Sequence, residues 1–223
     1  MAVKTEGSVS ASAARSSGKG PVRAKTVENL SRADRVARGK DARAVAPLES
    51  HAEFVPARKR DPVGLLLEQA KTRVPELVPV RHGRMLVSAF TFYRGAALPM
   101  AADLATTPAS GLRVQLCGDA HLSNFGAFAS PERNLVFDVN DFDETLPGPF
   151  EWDVKRLAAS LEVAARENGF PGKKRRAIVA TAVAQYRNAM RSFGHSSAKL
   201  WIRAWPKRGP GTAWRNWLSC AMP

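Results

Sequence analysis

Cysteine is nearly absent from this chain: Cys117 and Cys220 are the two in 223 residues, and they stand in no paired spacing. A disulfide framework is therefore excluded. No stretch approaches the roughly 18 to 20 consecutive apolar residues of a membrane-spanning helix, and no charged segment leads into an apolar run as in a signal peptide. A soluble protein of the reducing cytoplasm, with no membrane partner, is expected. Acidic residues are missing altogether from 168 to 223, where 11 Lys or Arg stand against none. Aromatic residues are missing from the first 50 positions.

What is present is a basic chain, with a formal net charge of +14. The charge is uneven: residues 1 to 60 hold 13 Lys or Arg against 6 acids, and residues 61 to 167 hold 10 against 14. The middle is thus acidic, and the basic balance belongs to the two ends. Weak, salt-sensitive adsorption to polyanions is expected of such ends, and no specific nucleic-acid partner.

Residues 1–50 are rich in Ala, Ser, Gly, Arg and Lys and poor in large apolar side chains, which predicts a disordered basic arm. Asp61-Pro62 opens a short helix in DPVGLLLEQA. Residues 84–105 predict a helix interrupted near Pro99, and Leu112, Val114 and Leu116 alternate as in a buried strand that ends at Gly118. With NLVFDVNDF as a second strand and SPER at 130–133 as a turn, 112–142 is expected to form a β-hairpin whose loop carries GDAHLSN. Val154, Leu157, Ala158, Leu161 and Ala165 share one helical face, with Lys155, Arg156, Glu162 and Arg166 opposite. A further helix is expected from Lys173 to Met190. The last 30 residues hold four of the five tryptophans among Arg, Lys, Gly and Pro, an irregular composition of the kind an out-of-frame reading of a GC-rich gene gives. A basic, aromatic nucleic-acid arm is the alternative there.

Chemistry concentrates in CGDAHLSNFG at 117–126 and FDVNDFDET at 137–145. Phosphoryl transfer requires a carboxylate beside the attacking hydroxyl and hard oxygen ligands for Mg²⁺ or Mn²⁺. Asp119 and, five residues later, Asn124 match a kinase-like catalytic loop: Asp119 would orient or deprotonate the acceptor, and Asn124 would join the metal shell. Gly118 permits the tight turn, and His121 is expected to brace the loop by hydrogen bonding. Asp141 is placed to bridge the metal, with Asp138 nearby. Asp138, Asp141, Asp143 and Glu144 lie within seven residues, a density of acid that favours a hard cation. Asp153 is a candidate N-cap for its helix. Arg94 and Arg84 are candidates to bind phosphate, or are surface arginines.

GDxHxxN followed by a strand, Asp141, and Asp153 at the start of a helix resembles the aminoglycoside and choline kinase group, and the resemblance implies that Asp153 holds the catalytic loop, a role compatible with capping the helix. RMLVSAFTFYRGAA together with GLRVQLCGDAHLSNFGAFASPERNLVFDVNDFDETLPGPFEWDVKRLAASL is similar to the bacterial family known as domain of unknown function 2252, over about residues 50 to 192. The resemblance implies an α+β, partial protein-kinase-like fold over 51–192, with residues 193–223 as an irregular tail. It also implies a permuted order, in which a glycine-rich segment and a nucleotide lysine follow the catalytic loop. The chain ends before any such segment and is expected to be a truncated member, inactive in phosphoryl transfer as it stands. The substrate implied is a small molecule or nucleotide, with ATP as the possible donor. The rival readings are a metal-dependent phosphoesterase and a nucleic-acid-binding module.

Overall fold

A computed structural model describes residues 30–195 as a mixed helical and stranded, α+β chain. It divides into two units, residues 1–38 and 39–223. The described part of the first is the opening of helix α1 (Arg32–Val45). Ser31 Oγ accepts from the Asp34 amide at 3.2 Å while the Asp34 carboxylate accepts from the Ser31 amide at 3.2 Å, a reciprocal cap. Residues 32–45 are thus helical where an unstructured arm was expected. Composition counts core-forming side chains and misses a capped run of helix-favouring Ala, Arg and Lys.

In the second unit, α2 (Pro62–Ala70) begins where DPVG predicts it, with the Asp61 carboxylate capping Gly64 at 2.8 Å. The apolar stretch that follows is three helices rather than one broken at Pro99: α3 (Val78–Met85), α4 (Ala89–Gly95) and α5 (Ala97–Leu104). The break before α4 is set by Ser88, which forms a capping box with Thr91. Pro99 sits in the first turn of α5, where a missing N–H costs nothing.

The strands pair differently from the expected hairpin. β1 (Arg113–Leu116) is antiparallel to β4 (Leu146–Pro149), with Leu116 opposite Leu146. β2 (Phe125–Ala129) is antiparallel to β3 (Leu135–Val139), with Phe125 opposite Val139. The turn at 130–134 closes on a 2.8 Å bond from the Ser130 amide to the Asn134 carbonyl, as SPER predicts. GDAHLSN therefore links two separate ribbons instead of capping one. Thr145 accounts for the outer pairing: its hydroxyl donates to the Leu116 carbonyl at 2.6 Å and accepts from Gln115 at 2.7 Å.

Helix α6 (Phe150–Glu167) packs against α4, α5, α7 (Gly172–His195) and β1. Its Leu161 and Ala165 are buried with Leu116, Ala120, Met85 and Leu104. Helix α7 extends past the expected end at Met190. The tryptophan-rich tail from 196 onward lies outside the described residues. Leu116 is 1% exposed, and a side chain at Gly148 on the partner strand would collide with it, so β1 and β4 meet without slack. Leu116→Ala is expected to lower stability by about 2–5 kcal/mol in urea unfolding, from lost burial plus the cavity left behind.

Candidate active site

The loop between β1 and β2 carries the GDxHxxN residues, and α6 holds it from beneath with three side chains at i, i+3 and i+7. Asp153 accepts from the amides of Cys117 and Gly118 at 2.8 and 3.1 Å. Arg156 donates to Asp119 Oδ1 through both Nε, at 2.7 Å, and Nη2. Ser160 Oγ accepts from the Leu122 amide at 2.9 Å and donates to the Leu157 carbonyl at 2.7 Å. These three positions fall on one helical face. Asp153 is therefore not an N-cap: α6 begins at Phe150 after Pro149, and Asp153 lies in the first turn, holding the loop.

Gly118 is in the left-handed region at φ +86°, and a Cβ there would run into the Glu144 carbonyl. Its lack of a side chain thus serves both the turn and the approach of the 141–145 loop. Asn124 joins the same two loops. Its Nδ2 donates to the carbonyls of Asp119 at 3.0 Å and Asp141 at 3.2 Å, while its backbone carbonyl accepts from the Asn140 amide at 2.9 Å. The Asn124 amide oxygen is left over from these bonds. Asp141 is exposed, with Oδ1 accepting from the Asp143 amide at 3.1 Å.

The other candidates are less closely drawn in. Asp138 is exposed opposite Gly126 on the hairpin, and its Oδ1 turns back to the Val139 amide at 2.8 Å. Arg94 lies in the last turn of α4, in the electrostatic field of His121. Arg84 is exposed in the last turn of α3, and its side chain makes no hydrogen bond or ion pair among the described residues. His121 does not brace the loop by a side-chain hydrogen bond. Its Nε2 stands 3.6 Å from Asp119 Oδ2, beyond hydrogen-bond length, and its Nδ1 is buried without a partner. The backbone does that work: the His121 amide donates to the Asp119 carbonyl at 2.7 Å, and the His121 carbonyl accepts from the Asn124 amide at 2.9 Å.

Arg156 is the residue that sequence reasoning missed. Placed by periodicity on the polar face, it is 2% exposed. Its Nη2 also donates to the Tyr93 carbonyl at 3.0 Å, its guanidinium lies 4.7 Å over the Tyr93 ring, and the Tyr93 hydroxyl donates to the Arg156 carbonyl at 2.8 Å. The available signal was Asp-x-x-Arg-x-x-x-Ser on α6, a polar row at helical spacing beside an apolar one.

Burial governs the local acid–base balance. It pushes the Tyr93 hydroxyl up to about 12 and the Cys117 thiol up to about 11, so Cys117 is no thiolate at neutral pH. Burial raises Asp153, with the two loop amides working against it. Glu144 is raised by burial and by the nearby carboxylates of Asp119 and Asp141. No group of three or more His, Cys, Asp or Glu among the described residues is arranged to hold a metal, so a cation here would take its ligands largely from the Asn124 amide oxygen, the Asp141 carboxylate, and the oxygens of substrate and water.

Fold and site together define an α+β protein in which a polar row on one helix fixes a Gly-Asp-x-His-x-x-Asn loop against an acidic loop. The model of the family described as uncharacterised protein conserved in bacteria (DUF2252) matches residues 73–207, and the chain belongs to that family. The match starts later than the residue 50 expected, and it continues past Ser192, where the tail was expected to depart from the family. No curated protein and no solved structure matches the chain.

His121 supplies a pH test. Burial, with Arg156 and Arg94 adding to it and Asp119 opposing, holds its imidazole below the usual 6.5. The unfolded chain then takes up that proton at higher pH than the folded one. Stability from this residue is present above pH 6.5 and lost as pH falls toward the depressed folded value. Urea unfolding at stepped pH should show His121→Gln losing less stability than the wild type across that interval.

Proposed function

We propose that this chain carries the acceptor and metal wall of a kinase-like phosphoryl-transfer site, acting on a small-molecule or nucleotide substrate. The observation that supports it best is the double use of Asn124: its amide nitrogen ties the Asp119 and Asp141 backbones together, and its amide oxygen remains. The two motifs are thereby held as one unit. Asp119 is the catalytic carboxylate. With both Arg156 bonds on Oδ1, the rotation of the carboxylate is fixed and Oδ2 is the oxygen left to accept the proton of an acceptor hydroxyl. Arg156, Asp153 and Ser160 are positioning residues that act through the loop backbone and Asp119.

The donor set fits Mg²⁺ or Mn²⁺, which take hard oxygens, keep several waters, and rely on one or two protein groups plus substrate phosphates. Asn124 Oδ1 and the Asp141 carboxylate would hold the ion, with Asp138 the weakest candidate because it lies on the hairpin opposite Gly126 and has no bond to Asn124, whereas the Asp141 backbone is tied to it. When bound, the ion would neutralise charge on the transferring phosphoryl group. The phosphoesterase alternative calls for several His and Asp ligands together, a grouping not found among the described residues.

Mn²⁺ titration followed by water-proton relaxation tests the reading. The wild type should bind with modest affinity, and Asp141→Ala should lose the signal. An identical curve for Asp141→Ala would remove Asp141 from the site.

A further inference from the structure

Helix α7 packs chiefly on α6, and two of its residues mark the face that does so. Arg175 Nε donates to Glu162 of α6 at 2.9 Å, and Ile178 borders a small void with Leu161 and Ala165. Beside that face runs an apolar stripe, in which Val179, Val183, Tyr186 and Met190 recur at i, i+4, i+7 and i+11. Val183 is 41% exposed, Tyr186 37% and Met190 47%. Arg176 and Arg187, each one helical turn from the stripe at Val179 and Met190, line its outer edge. Both are exposed, and among the described residues neither forms an ion pair.

What covers this face must carry negative charge and also accept apolar side chains. Helix α7 holds six Lys or Arg and no Asp or Glu, so two copies laid stripe to stripe would repel each other. A nucleic acid would satisfy the arginines, but bases stack on aromatic rings and gain nothing from the aliphatic Val179, Val183 and Met190. The surface of an anionic bilayer suits both features. Its acidic headgroups attract the arginines, and its acyl boundary takes up an apolar stripe flanked by cations. Tyrosine is favoured there too, with its ring in the apolar layer and its hydroxyl in water. The sequence beyond α7 has the same character: residues 196–223 hold five Lys or Arg, no acid, and Trp201, Trp205, Trp214 and Trp217. Tryptophan is enriched at membrane interfaces.

We infer that the outer face of α7 is a docking surface for an anionic lipid bilayer. The stripe enters the headgroup boundary, and Arg176 and Arg187 meet acidic headgroups at its edge. No helix among the described residues is long and apolar enough to cross a membrane, and α7 would lie along the surface instead. The lack of a membrane partner expected from the sequence followed from the want of a spanning segment, which has no bearing on surface contact. The docking surface is independent of the phosphoryl-transfer reading.

Co-sedimentation of the full chain with vesicles tests it, comparing phosphatidylcholine alone with an equimolar mixture of phosphatidylcholine and phosphatidylglycerol. The wild type should bind the anionic vesicles and not the neutral ones. Arg176→Gln combined with Arg187→Gln should weaken partition at low salt by about thirtyfold, from about fivefold per cation near the surface. Val183→Gln combined with Met190→Gln should abolish the part of the binding that survives salt high enough to screen surface charge. All four positions are exposed, and circular dichroism checks that both double variants keep their helices. Unchanged partition in both folded variants overturns the inference, because the basic ends alone then account for adsorption. A loss confined to the arginine variant also overturns it, since contact with charge alone needs no stripe. Equal binding to neutral vesicles does the same. Binding to single-stranded DNA or to polyglutamate, with none to vesicles, overturns it in favour of a nucleic acid or an acidic protein.

Discussion

A buried guanidinium under a carboxylate is the constraint on which the site depends. Arg156 is 2% exposed and Asp119 is 15% exposed at the side chain, so each has given up most of its water. Such a pair adds little net stability compared with apolar packing, but removing one partner strands the other charge at a cost of about 3–5 kcal/mol. Its value lies in specificity. Arg156 reaches Asp119 and the Tyr93 carbonyl from one side chain, which ties α4, α6 and the loop into a single geometry. Its Nη1 is buried with no partner, so the arrangement accepts an unsatisfied donor in exchange for that fixed geometry.

The remaining parts follow from this support. Asp153 and Ser160 satisfy backbone amides of a loop that has no ladder of its own, and Asn124 hands the same fixity to the acidic loop through the Asp141 carbonyl. Gly118 allows the two loops to approach as closely as they do. The outcome is a rigid underside and an exposed carboxylate rim, an arrangement suited to positioning charge rather than to nucleophilic attack by a thiol. The partnered, half-buried Tyr93 and the thiol of Cys117 belong to the underside.

Much of the site was legible because its chemistry is local in sequence. Gly118, Asp119 and Asn124 fall within one loop, and spacing alone brings them together. Asp153 was legible in two compatible roles, and of these the structure shows it bonding the loop amides and not capping the helix. Pairing was harder: the β1 and β4 partners are about 30 residues apart, and nothing in 112–149 says which of four short apolar runs meet, since Thr145 settles it with side-chain bonds to Leu116 and Gln115. Arg156 was misplaced because periodicity assigns a charged residue to the solvent face, and only the position of Asp119 makes the interior tolerable for it. Helix α1 was missed because its capping box is a local device that composition does not register.

Anomalous diffraction from crystals grown with Mn²⁺ and a phosphate-bearing ligand addresses the central claim most directly, since it locates the ion without reference to turnover. The account predicts a Mn²⁺ peak within coordination distance of Asn124 Oδ1 and the Asp141 carboxylate. A peak elsewhere, or Asn124 and Asp141 coordinating nothing in crystals that hold Mn²⁺ at another position, would contradict it.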